Sequence, residues 1–233
     1  MNGLLVRVGI DSTSGGWNAP IDPRSGRFVY VPIPEEPLLI RDGLCRDFDE
    51  LIPALQDFGI TLPPHLLGRP MHLDPDFKYL TFGDRYPRNI PLQALVPGDF
   101  IIFYAGMRSI WPEDRELVYA LIGFYEVDEV LSAASVPPER WNENAHTRRK
   151  GNPRDIIVRA RPGRSGRLAR CIPIGEYRDR AYRVRQDILA AWGGLTVRDG
   201  YLQRSGRLPA MQDPLRFLRW FASFGIPLVR ENF

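Results

Sequence analysis

The sequence predicts an α+β fold that is rich in β-strand, with residues 1–233 forming a single compact domain. The chain contains 22 Pro and 21 Gly, which favour many short elements and ordered loops over a helix bundle. Hydrophobic residues make up 44% of the chain, enough to bury a substantial core. Neither an internal repeat nor a low-complexity linker separates its parts, so we expect one domain.

Apolar residues that alternate with polar ones, or that form short uninterrupted runs, predict the strands. In the first strand Val6 and Val8 alternate with Arg7 and Gly9, whereas Phe100–Tyr104 is a fully apolar run typical of a buried strand. The predicted strands are Leu4–Ile10, Arg27–Pro32, Lys78–Gly83, Phe100–Tyr104, Leu117–Leu131, Arg154–Ala160 and Arg170–Ile174.

Three segments have helical patterns. Asp47 is a candidate cap for a helix over Phe48–Phe58, and a second helix is predicted over Tyr182–Trp192, before two Gly residues. A C-terminal helix is predicted over residues 213–224, because an Asp-Pro pair begins it and a Gly follows it.

The charged residues are distributed unevenly along the chain. Residues 139–210 contain 16 Arg and Lys150 against seven acidic residues, a net charge of +10, whereas residues 1–138 have a net charge of −8. One interpretation is that the Arg-rich part binds the phosphates of a polyanion, since guanidinium groups bond phosphate oxygens bidentately. That interpretation predicts DNA or a nucleotide as the partner, with RNA as another possibility. The alternative is that the basic part docks against the acidic part.

Several classes of protein are not expected. No apolar run approaches the roughly 18 residues of a membrane span and the first residues lack a secretion signal, so we expect no membrane and a cytoplasmic location. Cys45 and Cys171 are far apart in sequence and are predicted to be reduced, buried or semi-buried thiols. Because no P-loop, dinucleotide fingerprint or zinc-deaminase signature is present, no cofactor or metal is assigned. The sequence leaves the oligomeric state open.

Two resemblances to known families are visible. The segment Leu95–Leu131 contains Pro97-Gly-Asp-Phe-Ile-Ile-Phe-Tyr104 and then Leu121-Ile-Gly-Phe-Tyr-Glu-Val127. It resembles the core of the PUA-like barrels, which include the ASCH, EVE and YTH domains. This resemblance implies a barrel that holds a flipped or modified base against aromatic side chains.

The second resemblance extends over nearly the full length of the chain, and its family is the third type of nucleotide-modification-associated domain. It implies a context, the handling of modified nucleobases in DNA, without implying a reaction or catalytic residues. The motifs that carry it are Val6-Arg-Val-Gly-Ile-Asp11, Gly15-Gly-Trp-Asn-Ala-Pro20, Phe28-Val-Tyr-Val-Pro-Ile-Pro34, His72-Leu-Asp-Pro-Asp76, Asn144-Ala-His-Thr-Arg-Arg149 and Gln203-Arg-Ser205.

Two motifs contain residues suited to catalysis. In His72-x-Asp74-x-Asp76 the alternating spacing places three metal-ligating groups close together, although the same pattern also describes a capped turn. His146 is one of three His residues in the chain and is a candidate general acid or base near neutral pH. His146, Asp74 and Asp76 are therefore weak catalytic candidates.

Other residues suit binding of phosphate or of a base. Trp17, Tyr104 or Trp141 could stack a base, and Gly residues beside Ser and Arg allow an anion to approach the backbone. Each of these patterns also describes core aromatics or ordinary exposed turns. The predicted nucleic-acid-binding residues are Trp17, Asn18, Tyr104, Asn144, His146, Arg148, Arg149, Ser165, Arg167, Arg183, Gln203, Arg204 and Ser205.

The sequence thus favours a protein that binds a nucleic acid or a nucleotide and is associated with modified DNA bases. In this hypothesis Arg side chains hold phosphate and an aromatic side chain stacks the base. Two alternatives stay open. One is an enzyme of nucleobase modification that uses His146 or a metal centre at Asp74 and Asp76. The other is a structural protein whose basic part docks on an acidic partner.

Overall fold

The structure is a computed structural model that describes residues 1–202 and 208–233. Strand residues (34%) outnumber helical residues (22%), which confirms the β-rich α+β class. The strands are β1 Gly3–Arg7, β2 Pro20–Asp22, β3 Arg27–Phe28, β4 Ile33–Pro34, β5 Met71–His72, β6 Thr81–Asp84, β7 Phe100–Ser109, β8 Leu117–Ser132, β9 Ile156–Ala160, β10 Gly166–Pro173, β11 Gly175–Arg178, β12 Ala181–Val184 and β13 Leu228–Val229. The α-helices are α1 Ile52–Gln56, α2 Ile90–Gln93, α3 Ala145–Arg148, α4 Gln186–Trp192 and α5 Pro214–Ala222.

A long antiparallel pair, β7 and β8, forms the centre of the main sheet. β7 also pairs in parallel with β1 and, at its far end, with β2, which carries β3. β8 is 16 residues long, so its first half pairs with β10 and its second half with β9. β13 is added to β10, and β6 to β9. Among the described strands no ladder joins the outer strands β3, β13 and β6, so the sheet does not close into the barrel that the PUA-like resemblance implied.

The two faces of this sheet bury separate hydrophobic cores. In β7, Ile101 and Phe103 belong to one core and Ile102 belongs to the other, as the alternation of side chains along a strand requires. Helices α4 and α5 cover the second core, where the ring of Phe217 is fully buried. The first core contains apolar residues of α1 and of residues 71–84. This first face carries the candidate site.

The predicted helices differ in how well they agree with the structure. α5 begins as expected, because the Asp213 side chain accepts a hydrogen bond of 2.9 Å from the backbone N–H of Arg216. The helix predicted over Tyr182–Trp192 begins only at Gln186, because the residues before it form β12 and pair with β11. The helix predicted over residues 48–58 is a 3₁₀ turn followed by α1, and the Asp47 side chain does not cap it.

Several guanidinium groups of the Arg-rich part pair with carboxylates of the acidic part. Arg148 pairs with Asp76 inside the protein, and Arg161 lies 2.7 Å from Glu126. Pairs of this kind offset part of the charge asymmetry within the protein. They support the interpretation in which the basic part docks against the acidic part.

Two further properties concern the environment of the chain. No helix among the described residues is long and apolar enough to cross a membrane. Both cysteines are free thiols; Cys171 is buried as predicted, whereas Cys45 is exposed. Desolvation and the neighbouring Asp47 carboxylate raise the pKa of Cys45 to about 11, so this thiol is not a reactive thiolate near neutral pH.

Candidate functional site

A cavity of about 360 Å³ opens on the first face of the sheet, beside β6. Cavities of this size fit a small ligand, and a few convergent polar groups usually determine which one. Here the polar groups include two imidazoles, three carboxylates and three guanidiniums. They belong to His72, His146, Glu35, Asp74, Asp84, Arg7, Arg85 and Arg88.

His72, Asp74 and His146, hereafter the triad, converge in this cavity. Each offers one ligand atom, and these atoms lie within 4.8 Å of one another. Asp74 Oδ2 is 3.5 Å from His146 Nε2 and 4.0 Å from His72 Nε2. All three side chains are buried, with exposures of 9%, 9% and 3% for His72, Asp74 and His146. Within residues 1–202 and 208–233, the triad is the one set of three or more His, Cys, Asp or Glu side chains spaced closely enough to hold a metal ion.

Short local structures place the triad. His72 ends β5 and Asp74 follows two residues later, whereas His146 lies in the short helix α3. Asn144 caps α3 by accepting a 2.8 Å hydrogen bond from the backbone N–H of His146. The amide of Asn144 also donates to Asp74 Oδ1 at 3.0 Å. One side chain therefore joins the helix to the loop that carries the carboxylate.

Gly83 in β6 allows these elements to approach closely. Its backbone N–H donates to both oxygens of Asp74, at 2.9 and 3.1 Å. A Cβ atom at this position would lie only 2.5 Å from Cδ2 of His146 and 3.0 Å from Oδ1 of Asn144. A glycine is required here because any side chain would displace the imidazole.

Two further buried carboxylates hold the outer nitrogens of the imidazoles. Nδ1 of His72 lies 2.5 Å from Glu35 Oε2, and Nδ1 of His146 lies 2.7 Å from Asp155 Oδ2. Arg149 donates to Asp155 at 2.9 Å and lies 3.8 Å from Glu35, so one guanidinium balances both charges. A carboxylate on Nδ1 fixes the tautomer of an imidazole and directs the lone pair of Nε2 inward, which is the usual second layer of a metal site.

The two imidazoles of the triad differ in the direction of their pKa shifts. Burial lowers the pKa of His72, so its ring is neutral near pH 7 and Nε2 can act as a ligand. Burial also acts against protonation of His146, but hydrogen bonds to Asp155 and Asp74 outweigh it and raise the pKa of His146. A raised pKa favours the doubly protonated ring, so a metal that binds Nε2 of His146 would have to displace a proton from it. For the carboxyl group of Glu35 burial acts to raise the pKa, but the hydrogen bond with His72 outweighs burial and lowers this pKa to about 2. The pKa of Asp155 is lowered, despite burial, by its hydrogen bond with His146.

The triad fits a divalent transition metal. Two imidazole nitrogens and one carboxylate oxygen are donors that suit Zn²⁺ or Fe²⁺, and three protein ligands leave positions for water or substrate. Metal–ligand bonds of about 2.1 Å at tetrahedral angles separate neighbouring ligand atoms by about 3.4 Å. The distances of 3.5 and 4.0 Å from Asp74 Oδ2 to the imidazole nitrogens are close to that value. The separations within the triad extend up to 4.8 Å, so the three side chains would have to draw together around an ion.

A sequence model of the family described as nucleotide modification associated domain 3 matches residues 2–209, a span that includes the whole triad. The chain belongs to this family. The resemblance that the sequence motifs indicated is therefore confirmed. Comparisons with curated proteins and with solved structures find no match. Membership in the nucleotide modification associated domain 3 family links the protein to the modification of nucleotides or DNA.

Two of the three metal-ligand candidates in the His72-x-Asp74-x-Asp76 motif lie in the site, and the third does not. His72 and Asp74 lie in the site, but Asp76 does not. Its carboxylate pairs with Arg148 and accepts a 3.1 Å hydrogen bond from Asn232, so it is fully engaged on the other side of the loop. His146 takes the third position in its place.

Four Arg residues predicted to hold phosphate make contacts within the protein. The guanidiniums of Arg148 and Arg149 are buried against carboxylates. Arg167 donates to the backbone carbonyls of Glu231 and Phe233, at 3.0 and 3.2 Å. Arg183 lies 3.6 Å from the carboxylate of Asp199 and contacts backbone carbonyls nearby. None of these four guanidiniums lines the cavity of the triad.

The aromatic candidates lie outside that cavity as well. Tyr104 is buried, and its hydroxyl donates to the carbonyl of Leu202 at 2.7 Å. Trp17 packs, partly buried, against the first core, and Trp141 packs under the guanidinium of Arg41. These contacts leave Tyr104 without an exposed face for stacking.

The remaining binding candidates have local structural contacts. The amide of Asn18 donates to the carbonyl of Gly106 at 3.2 Å, and Ser165 Oγ accepts from the backbone N–H of Glu126 at 3.0 Å. Asn144 caps α3, as described above. Gln203, Arg204 and Ser205 lie outside the described residues.

Sequence reasoning missed several residues of the site. Glu35 and Asp155 hold the imidazoles, while Arg85 and Tyr86 line the cavity. Arg85 and Tyr86 are a basic and an aromatic residue side by side, a pairing suited to nucleotide binding that is visible in the sequence. The two carboxylates give no comparable signal, because single acidic residues beside strands are common.

Proposed function

We propose that this protein is a divalent-metal-dependent enzyme that modifies a nucleotide or nucleobase, with His72, Asp74 and His146 as the metal ligands. The observation that carries the proposal is the convergence of the three ligand atoms in a cavity, with a buried carboxylate on the outer nitrogen of each imidazole. A bound metal would supply Lewis-acid chemistry and would activate a water molecule near neutral pH.

The lining of the cavity supports an anionic substrate. Arg7, Arg85 and Arg88 contribute guanidiniums to the same cavity as the triad. Arg7 and Arg88 are partly balanced by Asp11 and Asp84, at 3.0 and 3.1 Å. A phosphate group suits such a lining because guanidiniums bond phosphate oxygens bidentately. Together with the family's association with nucleotide modification, this favours a nucleotide as the substrate.

Asp84 is a second group suited to chemistry in this cavity. It is buried, and desolvation raises its pKa although Oδ2 lies 3.1 Å from Nη1 of Arg88. A carboxyl group of this kind can move a proton to or from a substrate beside the metal. Its role in the proposal is that of a general acid or base.

The alternative is a protein that only binds a modified base in DNA or RNA, as the sequence alone favoured. The guanidiniums of the cavity would serve that function too. A binding protein has no need for three buried ligands, two of them imidazoles held by charged carboxylates, because burying so many charged groups is costly. The enzyme is therefore the better-supported function.

The test is turnover followed by mass spectrometry. Purified protein is incubated with Zn²⁺, Mn²⁺ or, without oxygen, Fe²⁺, together with nucleotides and with single-stranded or duplex DNA carrying standard or modified bases. We expect a mass change that requires the metal, stops on chelation and is lost in His146→Ala. His65→Ala is the matched control, since His65 is exposed and outside the cavity. Binding of nucleotide without any mass change under all conditions would instead support the binding protein.

A further inference from the structure

Tyr86 lies at the edge of the triad cavity and is half exposed, with 50% of its surface accessible. The same ring also lines a second, more open groove of about 780 Å³. Tyr86 differs from the aromatic residues of the two cores, whose rings are buried, because its ring is accessible to a ligand at the cavity. Such a ring is suited to stacking on a flat ligand.

Two guanidinium groups beside Tyr86 form no ion pair with a carboxylate of the described residues. Arg85 is exposed, lines the triad cavity and forms no ion pair with any described residue. Arg154 lies in the open groove, with its guanidinium carbon 5.2 Å from the centre of the Tyr86 ring, and it too lacks an ion pair within the described ranges. These two cations border the cavity or the groove that Tyr86 lines, so both are placed to meet an anion there.

We infer that Tyr86 stacks the base of one unpaired nucleotide in the triad cavity, with Arg85 binding the phosphate of that nucleotide. The inference rests on the proposed function, since it places the base beside the metal ligands. Arg154 supports the ring of Tyr86 by a cation–π contact and offers a second positive charge to a phosphate that follows along the open groove.

The volume of the cavity favours an unpaired nucleotide over a base pair as the ligand. A volume of about 360 Å³ is near the lower end for small-molecule sites and is far too small for a base pair with its two backbones. Enzymes that act on a base therefore bind it as a free nucleotide, in a single strand or flipped out of a duplex.

The test is the affinity of metal-free protein for a labelled single-stranded oligonucleotide of about 12 nucleotides, measured by fluorescence anisotropy. We expect Tyr86→Ala to weaken binding by about 5- to 150-fold, the effect of losing one stacked base. Tyr86→Phe keeps the ring and should bind within about twofold of the wild type. Tyr177→Ala is the matched control, because Tyr177 is equally exposed (50%) and lies beside Arg178, outside the cavity.

Arg85→Ala tests the phosphate contact separately. We expect weaker binding and a reduction of about 0.7 in the slope of log affinity against log salt, the value for one contact to a single strand. Equilibrium dialysis with a mononucleotide distinguishes the source of the substrate. Equal affinity for the mononucleotide indicates a free nucleotide, and stronger binding of the oligonucleotide indicates a strand.

Wild-type affinity in Tyr86→Ala, an equal loss in Tyr177→Ala, or equally tight binding of a blunt duplex would overturn the inference. The proposed function would survive each of these results if metal-dependent turnover is observed. Conversely, a stacking effect at Tyr86 in a protein that lacks turnover would keep the nucleotide site and reject the enzyme.

Discussion

Asp155 provides the sharpest test of how the triad is held. Its Oδ2 contacts His146 Nδ1 at 2.7 Å and Arg149 at 2.9 Å, and its side chain is fully buried. Asp155→Asn keeps the size of the side chain and one acceptor oxygen, but it removes the negative charge that orients the imidazole. Loss of such a partner typically weakens metal binding by about 10- to 100-fold, or about 1.4–2.8 kcal/mol. We expect a change in that range, and a similar one for Glu35→Gln.

The assay is a Zn²⁺ competition titration against a chromophoric chelator, with melting temperatures measured in excess EDTA to report the metal-free fold. Asp199→Asn is the control, because Asp199 pairs with Arg178 at 2.8 Å on the surface, outside the cavity. It should leave the Kd for zinc unchanged. An Asp155→Asn protein that folds normally and binds zinc as tightly as the wild type would refute the reasoning.

Two other substitutions test the surroundings of the triad. Gly83→Ala should abolish zinc binding in the same titration, because the new methyl group would lie 2.5 Å from Cδ2 of His146; unchanged binding would show that the imidazole can move freely. Arg148→Ala leaves the buried carboxylate of Asp76 without its ion pair and should cost about 3–5 kcal/mol of unfolding free energy in urea titrations. Arg164→Ala, on the surface, should cost less than about 1 kcal/mol, and equal losses for the two Arg substitutions would contradict the structural role of Arg148.

Local patterns of the sequence were sufficient for much of the fold. The apolar run at residues 100–104 and the long apolar segment at 117–131 predicted the two central strands, and both are confirmed, although β7 continues to Ser109. The cap of α5 was also readable, since Asp and Pro act within one turn. Failures came where tertiary contacts decided the outcome: Tyr182 pairs across a hairpin with Tyr177 instead of entering a helix.

The site was only partly readable, because its parts come from distant segments. His72 and Asp74 were found through their spacing, which is local. Their partner His146 is 72 positions beyond Asp74, and no sequence pattern showed that α3 packs against β6. The excess of Arg was equally ambiguous, since internal pairing of residues such as Arg149 depends on the same long-range contacts.

The most direct test of the central claim is a crystal structure of the protein grown with Zn²⁺, with data collected across the zinc absorption edge. The proposed metal centre requires one strong anomalous peak, with His72 Nε2, Asp74 Oδ2 and His146 Nε2 each about 2.0–2.2 Å from it. The outer nitrogens should keep their hydrogen bonds to Glu35 and Asp155. If crystals grown in excess zinc showed anomalous peaks only elsewhere on the surface and none at the triad, the claim would be contradicted.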